Sequence, residues 1–225
     1  MQSHSQTVED YLKAIYVLQE KEGVAKTGAL ARHLAITAGS VTEMIKRMAG
    51  MSPALVVYRQ HHGVSLTGHG KQAAMAVIRR HRLLETFLYQ TLALGWEAVH
   101  EEAETLEHHL SERLVGAIDR HLGHPCVDPH GEPIPEATGR MHPPAGEPLT
   151  ALDIGATFRV VRVDPSINDM LAYLDNLGIG LETTGVVLDQ APFGGPLTLQ
   201  LTDSDPPREA AIGREVADHI FGVVV

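Results

Sequence analysis

Residues 27–51 read TGALARHLAITAGSVTEMIKRMAGM, and this stretch decides the fold. Leu30 and Leu34 mark one short helix, and Val41, Ile45 and Met48 mark a second at helical spacing. Thr37-Ala38-Gly39 supplies the turn between them. Upstream, Val8, Tyr11, Leu12, Ile15 and Leu18 predict a helix over 7–22, with Thr7 as its cap and Asp10 as a capping-box partner. Downstream, ALVVYRQHHGVSLTGHG (54–70) predicts two short strands joined at Gln60-His61-His62-Gly63. Helix, short helix, turn, helix, hairpin is the order of a winged helix-turn-helix.

Beyond the hairpin, two long helices are predicted, over 68–94 and 96–122, with a break at Leu94-Gly95. Leu106, Leu110, Leu114 and Ile118 give the second an apolar stripe suited to core or dimer packing. Residues 123–148 hold seven of the 13 prolines and four glycines, the composition of an ordered or semi-rigid linker. From Leu149 on the pattern is β. ATFRVVRV, TTGVVLDQ and LTLQLTD read as strands, Phe193-Gly194-Gly195-Pro196 as a turn, and 213–220 as a short helix before a final GVVV. A small barrel is expected there.

Composition narrows the function. The 225 residues are 44% hydrophobic and 20% charged, which excludes wholesale disorder. No apolar run reaches membrane-spanning length, and Met1–Glu9 is polar, unlike a secretory signal. One cysteine, Cys126, fits a reducing, cytoplasmic setting. Aromatic residues, at 4%, are too sparse to favour base stacking on single strands. The net charge is −10, but residues 1–82 carry +6 and residues 83–225 carry −16. A basic first third on an acidic remainder suggests localised contact with a polyanion. Eight of the 14 histidines fall between His81 and His142, a concentration that invites metal or proton chemistry.

The second long helix carries His100, Glu104, Glu107 and His108, at i, i+4, i+7 and i+8, on one helical face. His81 and Glu85 form another pair one turn apart. A solvated charged face is the plain alternative. Against it, both histidines share the carboxylate face of an amphipathic helix, and the carboxylates would repel one another without a cation.

These residues carry a resemblance to the diphtheria toxin repressor family of metal-dependent regulators, including its manganese transport regulators. TVEDYLKAIYVL (7–18) resembles the family's first helix, and GSVTEMIKRM (39–48) its recognition helix. RRHRLLETFL (79–88) and VHEEAETLEHHLSE (99–112) resemble the two metal-bearing helices. DPHGEPIP (128–135) resembles the segment leading into the linker, and GIGLETTGVVLDQAPFGGPLTLQL (178–201) the SH3-like domain. The resemblance implies a mainly α fold with a small β domain. Residues 1–70 would be a winged helix-turn-helix DNA-binding domain and 71–142 a helical metal-binding and dimerisation domain. Residues 143–225 would hold the linker and an SH3-like C-terminal barrel.

It also implies two metal sites: a primary set of Asp10, Glu104, Glu107 and His108, and an ancillary set of His81, Glu85 and His100. The iron-sensing type has methionine where Asp10 stands and cysteine where Glu104 stands. Hard oxygen donors at both positions favour Mn²⁺, with Fe²⁺ as the alternative. The binuclear manganese type has a carboxylate where this chain has Lys13. In iron-type members the SH3-like domain donates further ligands; here the aligned stretch, DPSINDM, offers Ile167 and Met170, with Asp164 or Asp169 as substitutes.

On the DNA side, the helix entering the major groove presents Thr37, Ala38, Gly39, Ser40, Thr42 and Glu43 to the bases. Lys46, Arg47 and Arg59 would meet phosphates. The expected protein is a cytoplasmic homodimer on a palindromic double-stranded operator, repressing metal uptake when loaded. His61, His62 and His69 flank the wing as solvated or phosphate-facing residues, and Trp96 is expected to pack at the start of its helix. Cys126, among His121, His124 and His130, reads as a linker thiol. Two other classes compete. A helical-bundle di-metal carboxylate enzyme needs a second E-x-x-H on another helix, yet Glu97-x-x-His100 lies on the same one. A peptide-binding module needs a groove of aromatic residues, and Phe193 and Phe221 are nearly alone.

Overall fold

The computed structural model describes residues 4–96, 98–164 and 170–225. They form two compact units. The first takes in the chain up to His81 together with 105–112 and 135–141; the second takes in 82–104, 113–134 and 142–225. No helix among the described residues is long and apolar enough to cross a membrane.

The first unit opens with α1 (Gln6–Glu22), whose Val8, Tyr11, Leu12 and Ile15 are buried, as their spacing requires. The helix starts one residue before Thr7, with Ser5 at its N-terminal boundary making no side-chain cap. Thr7 and Asp10 therefore lie inside the helix and form no capping box. Next come α2 (Thr27–His33) and α3 (Ala38–Ala49). The turn falls before Thr37, with Ala35 in the left-handed region at φ 54°. Thr37 is the cap of α3 instead, its side chain accepting from Ser40 N, and Ala38 and Gly39 are already helical. Val41, Ile45 and Met48 are fully buried on the inner face of α3.

The wing is β1 (Val56–Arg59) paired antiparallel with β2 (Gly63–Leu66). Gly63, at φ +112°, lets the hairpin bridge to Ala25, whose carbonyl would sit 2.6 Å from any Cβ there.

Helix α4 (Gly68–Leu92) runs as expected. The predicted helix over 96–122 does not form as one piece. It is α5 (Ala98–Leu106), a 3-10 turn at Glu107–His109, an extended Leu110, and α6 (Glu112–His121). At the break, Glu107 and His108 turn into a set of ion pairs with Lys13, His81, Glu9 and Asp10. Of the expected stripe, Ile118 is buried while Leu106 and Leu114 are exposed.

The second unit ends in a six-stranded antiparallel sheet. Its strands are β3 (Glu147–Pro148), β4 (Thr157–Val163), β5 (Thr184–Gln190), β6 (Leu197–Leu201), β7 (Arg208–Ile212) and β8 (Ile220–Val224), in the order β3-β8-β4-β5-β6-β7. Helices α7 (Met170–Asn176) and α8 (Arg214–Ala217) complete it. Phe158, Val160, Leu174, Leu199 and Ile220 are among its buried core, and Trp96 packs against that core. Residues 128–131 of the expected linker are buried, so this stretch is ordered. Gly131, at φ +83°, passes so close to β4 that a Cβ would lie 2.1 Å from Val161 O.

Candidate metal centres and nucleic-acid interface

In the first unit, α1 and the 3-10 turn meet around one imidazole. His108 Nδ1 lies 2.8 Å from Glu9 Oε2. Its Nε2 lies 2.9 Å from Asp10 Oδ1 and 3.4 Å from Glu107 Oε1. With a cation bound, a ring that keeps its proton on Nδ1 would donate to Glu9 and turn the Nε2 lone pair towards the other two carboxylates. One ligand atom each from Asp10, Glu107 and His108 lies within 4.8 Å of the others. This donor set fits a divalent cation. Glu9 orients the imidazole from behind, the usual outer-shell role of a carboxylate at a metal-binding histidine.

Glu107 is wholly buried. Its Oε2 is 2.6 Å from His81 Nδ1, and its Oε1 is 3.0 Å from Lys13 Nζ. Burial pushes its carboxyl up, but hydrogen bonds and charge from His81 and Lys13 outweigh that and hold it below the usual range. Arg80 binds the other oxygen of Glu9, Oε1, at 2.7 Å.

Asp10, Glu107 and His108 of the expected primary set thus come together, with His81 against Glu107. Glu104 belongs to the second unit, where its carboxylate is 3.8 Å from His100 Nε2. There His100 Nδ1 also lies 3.0 Å from Glu85 Oε1. Asp10 turns its Oδ1 to His108. Of the suggested SH3-like ligands, Ile167 and Asp169 lie outside the described residues. Met170 is buried in the core, and Asp164 pairs with His219 at 3.2 Å. Glu97 likewise lies outside the described residues, and Cys126 is exposed.

A second cluster is not legible in the helix pattern. Glu85, Asp128 and His130, all buried, each place a ligand atom within 4.8 Å of the others. Asp128 Oδ1 accepts from His130 N and Glu132 N, an Asx turn that fixes its carboxylate. Burial, reinforced by the Glu85 charge, pushes the Asp128 carboxyl up to about 8 against the pull of Arg82. His130 stacks on Trp96 at 5.4 Å, and its Nε2 lies 3.3 Å from Trp96 O, which leaves Nδ1 as the ring's acceptor. Arg82 and Arg162 both bind Glu132, at 3.0 and 2.9 Å.

On α3, Thr37, Ala38, Gly39, Ser40 and Glu43 are exposed and Thr42 is half-buried, its hydroxyl donating to Ala38 O. Lys46, Arg47 and Arg59 are exposed, as are His61, His62 and His69. Small and hydroxyl side chains permit close approach but offer few bidentate readers of base edges.

Residues 4–64 match the N-terminal DNA-binding domain of the iron-dependent repressors, and residues 67–136 match their metal-binding and dimerisation domain. Residues 147–224 match the FeoA domain. The chain is 33% identical over 203 residues to the iron-dependent repressor IdeR of Mycobacterium tuberculosis, covering 84% of this chain and 86% of that protein. It is 38% identical over 130 residues to IdeR of Mycobacterium leprae, a match spanning 57% of this chain and 55% of the relative. A solved manganese-dependent transcriptional repressor in complex with manganese superposes with a TM-score of 0.86 at 38% identity, over 97% of this chain and all of the other. With three successive domains matched in order and one relative matched over most of both lengths, the chain belongs to the diphtheria toxin repressor family of metal-dependent transcriptional regulators.

Proposed function

We propose that this chain is a Mn²⁺-responsive repressor, with Fe²⁺ as the alternative effector, which acts as a homodimer on a palindromic operator. The observation that carries this reading is the His108 imidazole, held by Glu9 and presenting Nε2 to Asp10 and Glu107. The donors are two carboxylates and an imidazole, with no sulfur. Hard oxygen ligands suit Mn²⁺, although intrinsic affinity order favours Fe²⁺, so availability in the cell decides between them. Related proteins are named for each metal: IdeR as iron-dependent, and the superposable repressor as manganese-dependent. The family is one of transcriptional regulators, and the carboxylate-enzyme alternative is set aside.

A bound divalent cation would supply the positive charge that offsets Asp10 and Glu107. The chain's own residues do the rest. Asp10 stands on α1, which packs on α2 and β2. Holding Asp10 beside Glu107 and His108 therefore restrains the element on which the helix-turn-helix rests. If the restrained arrangement is the DNA-competent one, cation binding and operator binding are linked and each tightens the other by the same factor. The N-terminal residues of α3 would enter the major groove, with Lys46, Arg47 and Arg59 on phosphates. Exposed Leu106 and Leu114 supply apolar area for a partner subunit. The cluster of Glu85, Asp128 and His130 is proposed as a second cation site, which shares only Glu85 with the expected set of His81, Glu85 and His100. The functional division proposed is 1–70, 71–142 and 143–225.

The test is fluorescence anisotropy on DNA from upstream of metal-transport genes, with Mn²⁺, Fe²⁺ under anaerobic conditions, or chelator. Mn²⁺ should tighten binding at least tenfold over chelator. Equal affinity in all three conditions overturns the reading.

A further inference from the structure

Lys13 stands where no ligand is wanted, yet it reaches into the centre. Its Nζ is 3.0 Å from Glu107 Oε1. That oxygen is also the one facing His108 Nε2, at 3.4 Å, while Oε2 is taken by His81 at 2.6 Å. The atom best placed to ligate a cation is therefore already in an ion pair. We propose that Lys13 is a resident counter-cation, displaced from Glu107 Oε1 when a divalent ion binds, and that it sets the concentration at which the protein responds. This deepens the reading of Asp10, Glu107 and His108 as a cation centre, and rests on it.

The charges argue the direction. Arg80 neutralises Glu9, which leaves Asp10 and Glu107 as the carboxylates turned to the centre and Lys13 as the ammonium beside them. The Glu107 carboxylate has no exposure to solvent, so its charge needs a partner within the protein at all times. In the cation-free molecule Lys13 and His81 fill that need. A divalent ion gains Glu107 only by separating Glu107 from Lys13, and the ammonium, still on α1, repels it afterwards. At 18% exposure the Lys13 side chain has a path to solvent on its flexible stem, so displacement does not strand it. A lysine is the right group for this task, because it offers one point charge on a rotatable chain and not a rigid planar fork.

The experiment is calorimetric titration of the full chain with MnCl₂, on the wild type, Lys13→Gln, Lys13→Arg and Glu107→Gln. The step of interest is the one that Glu107→Gln removes, which separates it from binding at any other cluster. In Lys13→Gln that step should tighten at least tenfold. The same variant should unfold at lower temperature without metal and recover under saturating Mn²⁺, because Glu107 regains a counter-charge. Lys13→Arg, which restores the charge, should return the affinity towards that of the wild type. If Lys13→Gln is unfolded without metal, the Mn²⁺ concentration that folds it is read from thermal shifts, and a midpoint below the wild-type dissociation constant supports the proposal. Unchanged or weaker binding in Lys13→Gln, with an unchanged metal-free melting temperature, overturns it. A wild type lacking any step that Glu107→Gln removes overturns the centre itself, and this inference with it.

Discussion

Asp128 offers a measurable signature of the second cluster. Its carboxyl is almost fully buried and lies beside Glu85, and burial first and the Glu85 charge second push it up to about 8. In the unfolded chain an aspartate titrates near its ordinary value of about 3.9. Between these limits the folded state holds a proton that the unfolded state has released. Stability therefore falls as pH rises through this window: the carboxyl carries no penalty below about pH 4 and its full penalty above about pH 8. A displacement of this size corresponds to on the order of 5 kcal/mol between the protonation states, which is the ceiling on the effect.

The perturbation is Asp128→Asn, which keeps the shape and the acceptor oxygen of the Asx turn but cannot ionise. Urea unfolding of both proteins, in chelator, from pH 5 to pH 8 gives the difference in stability at each pH. The wild type should lose several kcal/mol relative to the variant across the range. Divalent cation should reverse the trend for the wild type alone, since the ion needs the ionised carboxylate and expels its proton. Parallel curves for wild type and variant, with and without cation, would refute both the buried protonated carboxyl and its use as a ligand.

Glu107→Gln should abolish Mn²⁺-stimulated DNA binding. It should also lower metal-free folding stability, because His81 and Lys13 lose the carboxylate that pairs with them, by less than a stranded charge would cost since Lys13 can reach solvent; anisotropy and urea unfolding test the two halves separately. Glu9→Gln should weaken Mn²⁺ binding by about ten- to a hundredfold through misorientation of His108, with calorimetry as the check, and unchanged affinity would remove Glu9 from the centre. Replacing Lys46 and Arg47 together by Ala should weaken binding to every DNA sequence. The slope of log affinity against log salt should drop by about 0.9 for each phosphate left without its cationic side chain.

The helix-turn-helix is legible in the sequence because its apolar residues obey one period: Val41, Ile45 and Met48 are all fully buried. The long helices are legible for the same reason, up to the point where polar pairing overrides periodicity. Glu107 and His108 leave the helix because their partners, Lys13 and Glu9, are 94 and 99 residues away, and no local pattern encodes that. Strand β7 (REAAI) and helix α7 (MLAYLDN) escape a reading by period: the first buries only Ala210 and Ile212, and the second is seven residues long. Asp128 and His130 sit in a proline-rich stretch with no period at all. A short-range signal does exist there, an Asp followed two residues later by His and then Gly, which is the spacing of an Asx turn.

The tandem Glu9-Asp10 shows how a pair that looks redundant in sequence becomes directional in three dimensions. Neighbouring residues on an α-helix point about 100° apart, so the carboxylates of Glu9 and Asp10 cannot both meet one ring nitrogen. An imidazole can meet both, because its two nitrogens lie on different edges of the ring. Glu9 takes Nδ1 and Asp10 takes Nε2 of the same His108. The ring thereby fixes the angle of α1 about its axis as well as its distance from the 3-10 turn; a rotation of one residue would present Glu9 or Tyr11 to Nε2. Because Tyr11 and Leu12 are buried in the core of the first unit, such a rotation would also expose apolar surface. The hydrophobic face and the two carboxylates therefore agree on one setting of α1. A cation bound at Nε2, as proposed, would act on an element that packing has already confined, and a single ion would then bias the helices resting on it.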